Sequence, residues 1–363
     1  MRSTLLSAGE PAPWFTCRTR QREHFCFDSM GGRYLVLSFF GSAAEPVSRQ
    51  LLSDLAAHRA HFRDDHTCFF GVSTDPDDER LERFDHSLRG VRYFWDFDRS
   101  VSTLYGVVQA DGGIRRVTYV LDPALRVLAA VPVEEPVDNH IPSLIRFLDR
   151  LPALDAPHPA PQHAPVLVVP GIFEPSLCKA LIDYYETQGG TESGFMVERE
   201  GRTVEMADPL HKRRRDCFVE EKALLDGCTR RIHKRLLPEI HKAFQFEATR
   251  IERYLVACYD GKEGGHFRAH RDNTTKGTAH RRFAVSLFLN SGYEGGQLRF
   301  PEYGGGLYSA PPGGAVVFSC SVLHEATPVT SGRRYMFLPF LYDEAARVIR
   351  EENRQYLDAR LTY

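Results

Sequence analysis

Apolar residues in the first part of the chain fall into short runs separated by longer amphipathic stretches. Arg33–Phe40, RYLVLSFF, is a continuous apolar run, the pattern of a strand buried on both faces. Leu51, Leu52, Leu55 and Phe62 then recur at helical spacing. Thr67–Val72 predicts a second strand and Arg80–Leu88 a polar helix. Val117–Leu121 predicts a strand that stops at Asp122-Pro123, and Pro142–Leu151 a last helix. Strands alternating with helices predict an α/β sheet covered on both sides.

The pattern breaks at Leu151–Pro165, LPALDAPHPAPQHAP, which holds five prolines and almost no large apolar residue. Such a segment stays extended and cannot build a core, so it reads as a linker. Beyond it, helical patterns at Glu174–Gln188 and Glu220–Phe246 precede a series of strands, and Pro238 predicts a kink or boundary in the second helix. The strands are Arg253–Tyr259, Phe283–Asn290, Gln297–Phe300, Ala315–Ser319 and Arg334–Tyr342, with glycine-rich turns between them. Helices followed by closely spaced strands predict a double-sheet barrel or jelly roll buttressed by helices. The expected division is therefore 1–150, a linker over 151–165, and 166–363 with its core at about 250–345.

Composition narrows the classes. The 363 residues are 42% hydrophobic and 26% charged, ordinary for a chain with a packed core. Lys and Arg number 46 against 48 Asp and Glu, so no chain-wide charge favours nucleic acid or an anionic membrane. No apolar run approaches the ~18 residues of a membrane span. Met1–Glu10 has one Arg and no long apolar core, so no secretory leader is expected. Eight scattered cysteines without a Cys-x-x-Cys pair argue against a disulfide framework or structural zinc, and a reducing cytoplasm is the expected setting.

His270-Arg271-Asp272 carries the chemistry. On an extended segment His270 and Asp272 project to one side, giving an imidazole and a carboxylate as adjacent ligands. His324, beyond the strand Ala315–Ser319, is placed to supply a third. Two histidines and a carboxylate on one face of an octahedral ion suit non-haem Fe(II) and oxygen chemistry. With 15 histidines in the chain the spacing alone is a weak signal. Context strengthens it, because Arg333 and Arg334 follow on the next strand, where a guanidinium could hold the far carboxylate of a ligand chelating the metal.

The segments CYDGKEGGHFRAHRDN, FAVSLFLN, GGQLRFPE and HEATPVTSGRRY resemble the prolyl 4-hydroxylase family of Fe(II)- and 2-oxoglutarate-dependent dioxygenases. The resemblance covers most of Pro165–Tyr342 and implies a double-stranded β-helix with His270, Asp272 and His324 on iron. It implies hydroxylation of an aliphatic C–H, plausibly prolyl, as 2-oxoglutarate and O2 are converted to succinate and carbon dioxide, with L-ascorbate as an auxiliary reductant. The family places a basic residue nine or ten positions past the distal His on the cosubstrate's C5 carboxylate; the RY pair favours Arg334 over Arg333. Tyr259 matches a tyrosine lying against the cosubstrate, and Phe288 stands where part of the family has another. Substrate choice is expected of the loops Gly194–Asp208 and Asn273–His280, and the basic run His211–Arg215 reads as a solvated turn.

In the first part GEPAPWF, YLVLSFFGSAAEPVS, FFGVSTDPDD, FWDFDRSVSTLYGV and RRVTYVLDP resemble a peroxiredoxin of thioredoxin fold. That family's reactive Cys corresponds to Ser48, its usual Thr to Glu45, and its Arg to Arg116. A serine hydroxyl has far too high a pKa to act as the peroxide-reducing nucleophile. Cys17, Cys26 and Cys68 then read as inert, and the domain as a scaffold, homodimerisation or partner-binding module. The expected partner of the second domain is a peptide, protein or small-molecule substrate. The alternative is a redox-linked sensing module with a slow or silent oxygenase half.

Overall fold

Eight consecutive buried residues make Tyr34–Gly41 a central strand of the N-terminal unit in the computed structural model, which describes residues 4–358. The chain divides into two compact units between His158 and Pro159, inside the predicted linker. The linker is shorter than expected at its far end, because Ala164 is already buried in the second unit's core.

The first unit runs β1 (Thr16–Thr19), β2 (Phe25–Cys26), β3 (Tyr34–Gly41), α1 (Pro46–Ala57), β4 (Thr67–Ser73), α2 (Pro76–Arg80), β5 (Val91–Trp95), α3 (Ser100–Leu104), β6 (Val117–Leu121), β7 (Val127–Pro132) and α4 (His140–Leu148). Its strands form one sheet in the order β2-β1-β5-β4-β3-β6-β7, with β3, β4 and β5 parallel and β6 antiparallel to β3. Strand periodicity divides β3 between two cores. Leu35, Leu37 and Phe39 pack with Phe27 and Tyr119, while Val36 and Phe40 pack with Leu51, Leu55 and Ile141 of the helices. The helix expected over Arg80–Leu88 is absent. α2 ends at Arg80, Glu82 takes a left-handed φ of 46°, and Arg83 folds back onto Asp75 and Asp78.

The second unit opens with β8 (Val166–Val169), α5 (Pro175–Gln188), β9 (Thr191–Glu192), β10 (Phe195–Arg199), β11 (Arg202–Met206), β12 (Lys212–Arg213) and β13 (Arg215–Phe218). α6 (Lys222–Arg231) and α7 (Leu237–Phe244) follow, joined by a π-helical turn over Ile232–Leu236, with Pro238 in the first turn of α7 where its missing N–H costs nothing. Then come β14 (Arg250–Glu252), β15 (Leu255–Asp260), β16 (His266–His270), β17 (Phe283–Phe288), β18 (Glu294–Gly295), β19 (Leu298–Arg299), β20 (Leu307–Tyr308), β21 (Ala315–Ser319), β22 (His324–Ala326), β23 (Val329–Ser331), β24 (Arg333–Phe337), β25 (Phe340–Tyr342) and α8 (Glu344–Asn353).

A large sheet follows the path β14-β25-β17-β24-β15-β13-β9, with β21 bridging β17 to β8, and a smaller one runs β12-β16-β22-β19-β20. One face of the large sheet, Leu255, Ala257, Phe288 and Met336, shares a core with Phe267, Leu298 and Ala326 of the smaller sheet. The other face, Val256, Cys258, Leu287 and Phe337, packs against helical residues Leu181, Cys228 and Ile240. The two sheets thus face each other across one core, with helices against the far side of the larger sheet.

Two strand boundaries moved together. The strand expected over Arg334–Tyr342 breaks at Leu338-Pro339, since proline has no N–H to give a ladder. The one expected from Arg253 starts at Leu255, because Arg253 sits at φ 65°. Glu252 pairs with Phe340 and Val256 with Phe337, so three residues on one strand face two on its neighbour. That is a bulge, a feature that re-aims side chains beside functional sites.

Candidate metal centre

β16 and β22 are antiparallel neighbours, and their register sets His270 directly opposite His324. Asp272 follows two residues past His270, so the strand's alternation returns it to the same side. The result is a convergent set. His324 Nε2 lies 3.3 Å from one Asp272 oxygen, and His270 Nε2 lies 3.6 Å from the other. The three ligand atoms fall within 4.8 Å of one another.

Both rings are held in one tautomer. His270 Nδ1 lies 2.8 Å from the Arg268 carbonyl and His324 Nδ1 lies 3.0 Å from that of Val322. A carbonyl only accepts, so each Nδ1 carries the proton and each Nε2 offers a lone pair. Phe267 stacks on His270 with centroids 3.5 Å apart and fixes its plane. Burial, reinforced by His324, pushes the His270 pKa down to about 4. Burial would raise Asp272, but His324 and His270 outweigh it and hold the carboxyl well below the usual range. Two imidazole nitrogens beside an ionised carboxylate are the donor set that suits a divalent cation.

The centre opens into a cavity of about 300 Å³. Phe195, Met196 and Val197 of the β10–β11 hairpin line it, as do Thr274 and Thr278, so both loops expected to select substrate reach this wall. The first of them is an antiparallel hairpin rather than a loop. The basic run His211–Arg215 is not a solvated turn. Lys212 and Arg214 are buried in the cavity wall while Arg213 and Arg215 face out, the alternation of a strand. Arg214 pairs with Asp216 through two bonds of 2.7 and 2.6 Å, and the Lys212 ammonium donates to Ser193 Oγ and the Gly194 carbonyl. A buried carboxylate two residues past a buried arginine was the sequence signal for this wall. Arg281, also on the wall, is held by Glu252.

The two candidate arginines separate cleanly. Arg333 is half-exposed and pairs with Asp260 and Glu186. Arg334 is 1% exposed, its Nε is buried without a partner, and no hydrogen bond or ion pair engages its side chain among the described residues. Its guanidinium carbon lies 4.9 Å from the ring centre of Tyr259 and 5.2 Å from that of Phe288. Tyr259 lines the metal cavity, and Arg334 stands next to it rather than on the wall.

In the first unit Ser48 is fully buried on α1, and its hydroxyl donates to the Phe40 carbonyl at 2.8 Å. Glu45 and Arg116 form an ion pair beside it. Burial, then the charge of Asp96, pushes the Cys17 thiol up to about 12, and burial also raises Cys68. Neither is a thiolate at neutral pH.

Comparison with known proteins finds a similarity for each unit. Residues 8–130 match the AhpC/TSA family, and residues 254–342 match the 2OG-Fe(II) oxygenase superfamily. Mycobacterium tuberculosis AhpC is similar in structure at 20% identity, covering 40% of this chain and 93% of its own, with a TM-score of 0.34. A Trichoplax adhaerens prolyl hydroxylase, solved with a hypoxia-inducible-factor peptide fragment, is 18% identical, covering 51% of this chain and 86% of its own, with a TM-score of 0.39. A Pseudomonas putida prolyl-4-hydroxylase is 18% identical over 49% of this chain and 92% of its own, at a TM-score of 0.37. No curated protein matches the chain. The first unit is thus similar to the AhpC/TSA family over residues 8–130 and the second to the 2OG-Fe(II) oxygenase superfamily over residues 254–342.

Proposed function

We propose that the second unit is a dioxygenase that binds Fe(II) through His270, Asp272 and His324 and hydroxylates an aliphatic carbon, with proline the leading target. The observation that carries this reading is the donor set, two Nε2 lone pairs and a carboxylate converging within 4.8 Å with both Nδ1 atoms tied to carbonyls. Three protein ligands on one face leave positions open for a chelating cosubstrate and O2. When bound, iron and 2-oxoglutarate supply the oxidising chemistry: 2-oxoglutarate becomes succinate and carbon dioxide, and the second oxygen atom of O2 enters a C–H bond.

The chain's own residues hold and orient. Arg334, a buried guanidinium lacking a counter-charge, is suited to the far carboxylate of 2-oxoglutarate through two parallel bonds. Tyr259 would flank that carboxylate, whereas Phe288 has no hydroxyl to donate to it. The β10–β11 hairpin, carrying Phe195 and Met196, narrows the cavity against water. L-ascorbate would keep the iron reduced between turnovers.

The test is succinate formation by the full-length protein with Fe(II) and 2-oxoglutarate, alongside a mass-spectrometric screen of prolyl peptides for a gain of one oxygen. Succinate release that depends on His324 is expected. Wild-type turnover unaffected by His324→Ala would discard the assignment.

A further inference from the structure

Five basic side chains line the metal cavity, Arg214, Arg253, Arg271, Arg281 and Lys212, whose pKa burial and Arg214 push well down, against a single carboxylate on the same wall, Asp272. Four of the five are satisfied. Arg214 pairs with Asp216, Arg271 with Glu302 and Arg281 with Glu252, and Lys212 donates to Ser193 and Gly194. Arg253 has no hydrogen bond or ion pair among the described residues, and its Nε is buried without a partner. Leaving a buried guanidinium nitrogen without an acceptor is costly unless a ligand supplies one.

The backbone delivers this side chain deliberately. Arg253 occupies the left-handed region at φ 65° within the bulge between β14 and β15, opposite the Leu338-Pro339 break. A non-glycine residue held there stores strain, and such strain gathers at ligand clamps. The guanidinium lies 4.3 Å from the ring centre of Phe340, which carries Arg281 at 4.1 Å. A guanidinium stacked on a ring keeps its N–H donors in a fixed plane, ready for a bidentate carboxylate. Burial, then the neighbouring Arg281 and Arg214 cations, pushes its pKa down to about 10 against the opposing pull of Glu252 and Asp216, which pair with those two arginines rather than with Arg253.

Under the proposed function, on which this inference rests, the cosubstrate does not relieve that deficiency. The two carboxylates of 2-oxoglutarate and Asp272 answer the two charges of the metal and the one of Arg334. Nothing answers Arg253. We propose that Arg253 receives a carboxylate of the primary substrate, so that the compound hydroxylated here carries a free carboxylate: a free imino acid, or a peptide with an acidic side chain next to the target residue.

The experiment uses the full-length protein loaded with Zn(II) in place of iron and saturated with 2-oxoglutarate. Two matched pairs are titrated and followed by ligand-observed NMR: L-proline against L-prolinamide, and N-acetyl-Pro-Glu-amide against N-acetyl-Pro-Gln-amide. The carboxylate member of at least one pair should bind tenfold or more tightly than its amide twin, and the responding pair identifies the source of the carboxylate. R253M should erase that preference, R253K should restore part of it, and both should keep 2-oxoglutarate affinity within about twofold of wild type. The proposal is overturned if neither pair shows a charge preference in the wild-type protein, or if the preference survives R253M. It is equally overturned if R253M weakens 2-oxoglutarate binding tenfold, which would make Arg253 the cosubstrate's own anchor. Failure of 2-oxoglutarate to bind the metal-loaded wild type would count against the oxygenase reading instead, and the charge preference of the probes can be read without it.

Discussion

At the scale of single residues, the centre's Nδ1 atoms are the informative ones. Because the Arg268 and Val322 carbonyls fix both imidazoles, iron binding should need no rotation of either ring. His324→Ala should cut the metal retained after dialysis by at least tenfold, measured by elemental analysis, and abolish 2-oxoglutarate turnover. The arginines offer a paired test. Removing one partner of a buried ion pair costs ~3–5 kcal/mol. Arg334→Met should therefore weaken 2-oxoglutarate binding by roughly 10²–10³-fold at ~1.4 kcal/mol per decade. Arg333→Met, whose native partners Asp260 and Glu186 lie at the surface, should change it little. Charge-transfer absorbance of the anaerobic Fe(II) proteins reads both, and a larger loss for Arg333 would reverse the assignment. His270, Asp272, His324 and Arg334 could be singled out in the sequence because three sit on strands and Asp272 follows one within two residues, so that simple alternation brings His270 and Asp272 together. Arg253 could not, because a left-handed residue at a bulge obeys neither the strand nor the helix period.

Among elements, the junction of α5 with α6 and its π-helical turn rests on one carboxylate. Glu174, which precedes α5, pairs with Arg231 at the end of α6 and, at 2.7 Å, with Arg235 in the π turn. Burial opposes ionisation of Glu174, yet Arg235 and Arg231 prevail and lower its pKa to about 2 from an ordinary 4.5. A depressed carboxylate stabilises the fold fully above its unfolded pKa, and that contribution fades as pH falls through the folded value. The stability gap between wild type and Glu174→Gln should thus be full at pH 6 and distinctly narrower at pH 3, by urea unfolding. A gap that stays constant or widens would refute the coupling. Glu252→Gln should cost more, about 3–5 kcal/mol, since it strips Arg281 of its counter-charge where both are buried. Unfolding midpoints at pH 7 measure it. The strands β3, β4, β6, β17 and β21 were legible as apolar runs, because burial on both faces leaves little room for polar residues. The β10–β11 hairpin was not, because all its residues but the buried Thr203 are half-buried or exposed and read as loop.

For the whole molecule, the two units divide the chemistry unequally. Ser48 donates to Phe40 where a peroxiredoxin-like site would need a thiolate, and burial keeps Cys17 and Cys68 protonated. Full-length protein should therefore consume no hydrogen peroxide above background with dithiothreitol as reductant; turnover abolished by Cys17→Ser, Cys68→Ser or Cys26→Ser, the exposed cysteine of the three, would show a misplaced nucleophile. The two-unit division was legible from five prolines in a row of small residues, which no core could absorb. The donor triad has a thermal consequence. Its ligands come from β16, the turn after it and β22, and they converge only when the second unit is folded. A divalent ion that binds the folded chain and ignores the unfolded one acts as a thermodynamic load on that unit alone. At a hundred times its dissociation constant such an ion adds ~2.7 kcal/mol, or roughly 5–10 °C for a unit of this size. Calorimetry should resolve two melting steps, one stationary and one climbing with free metal, so that half of this protein carries a melting temperature set by the composition of the solution around it.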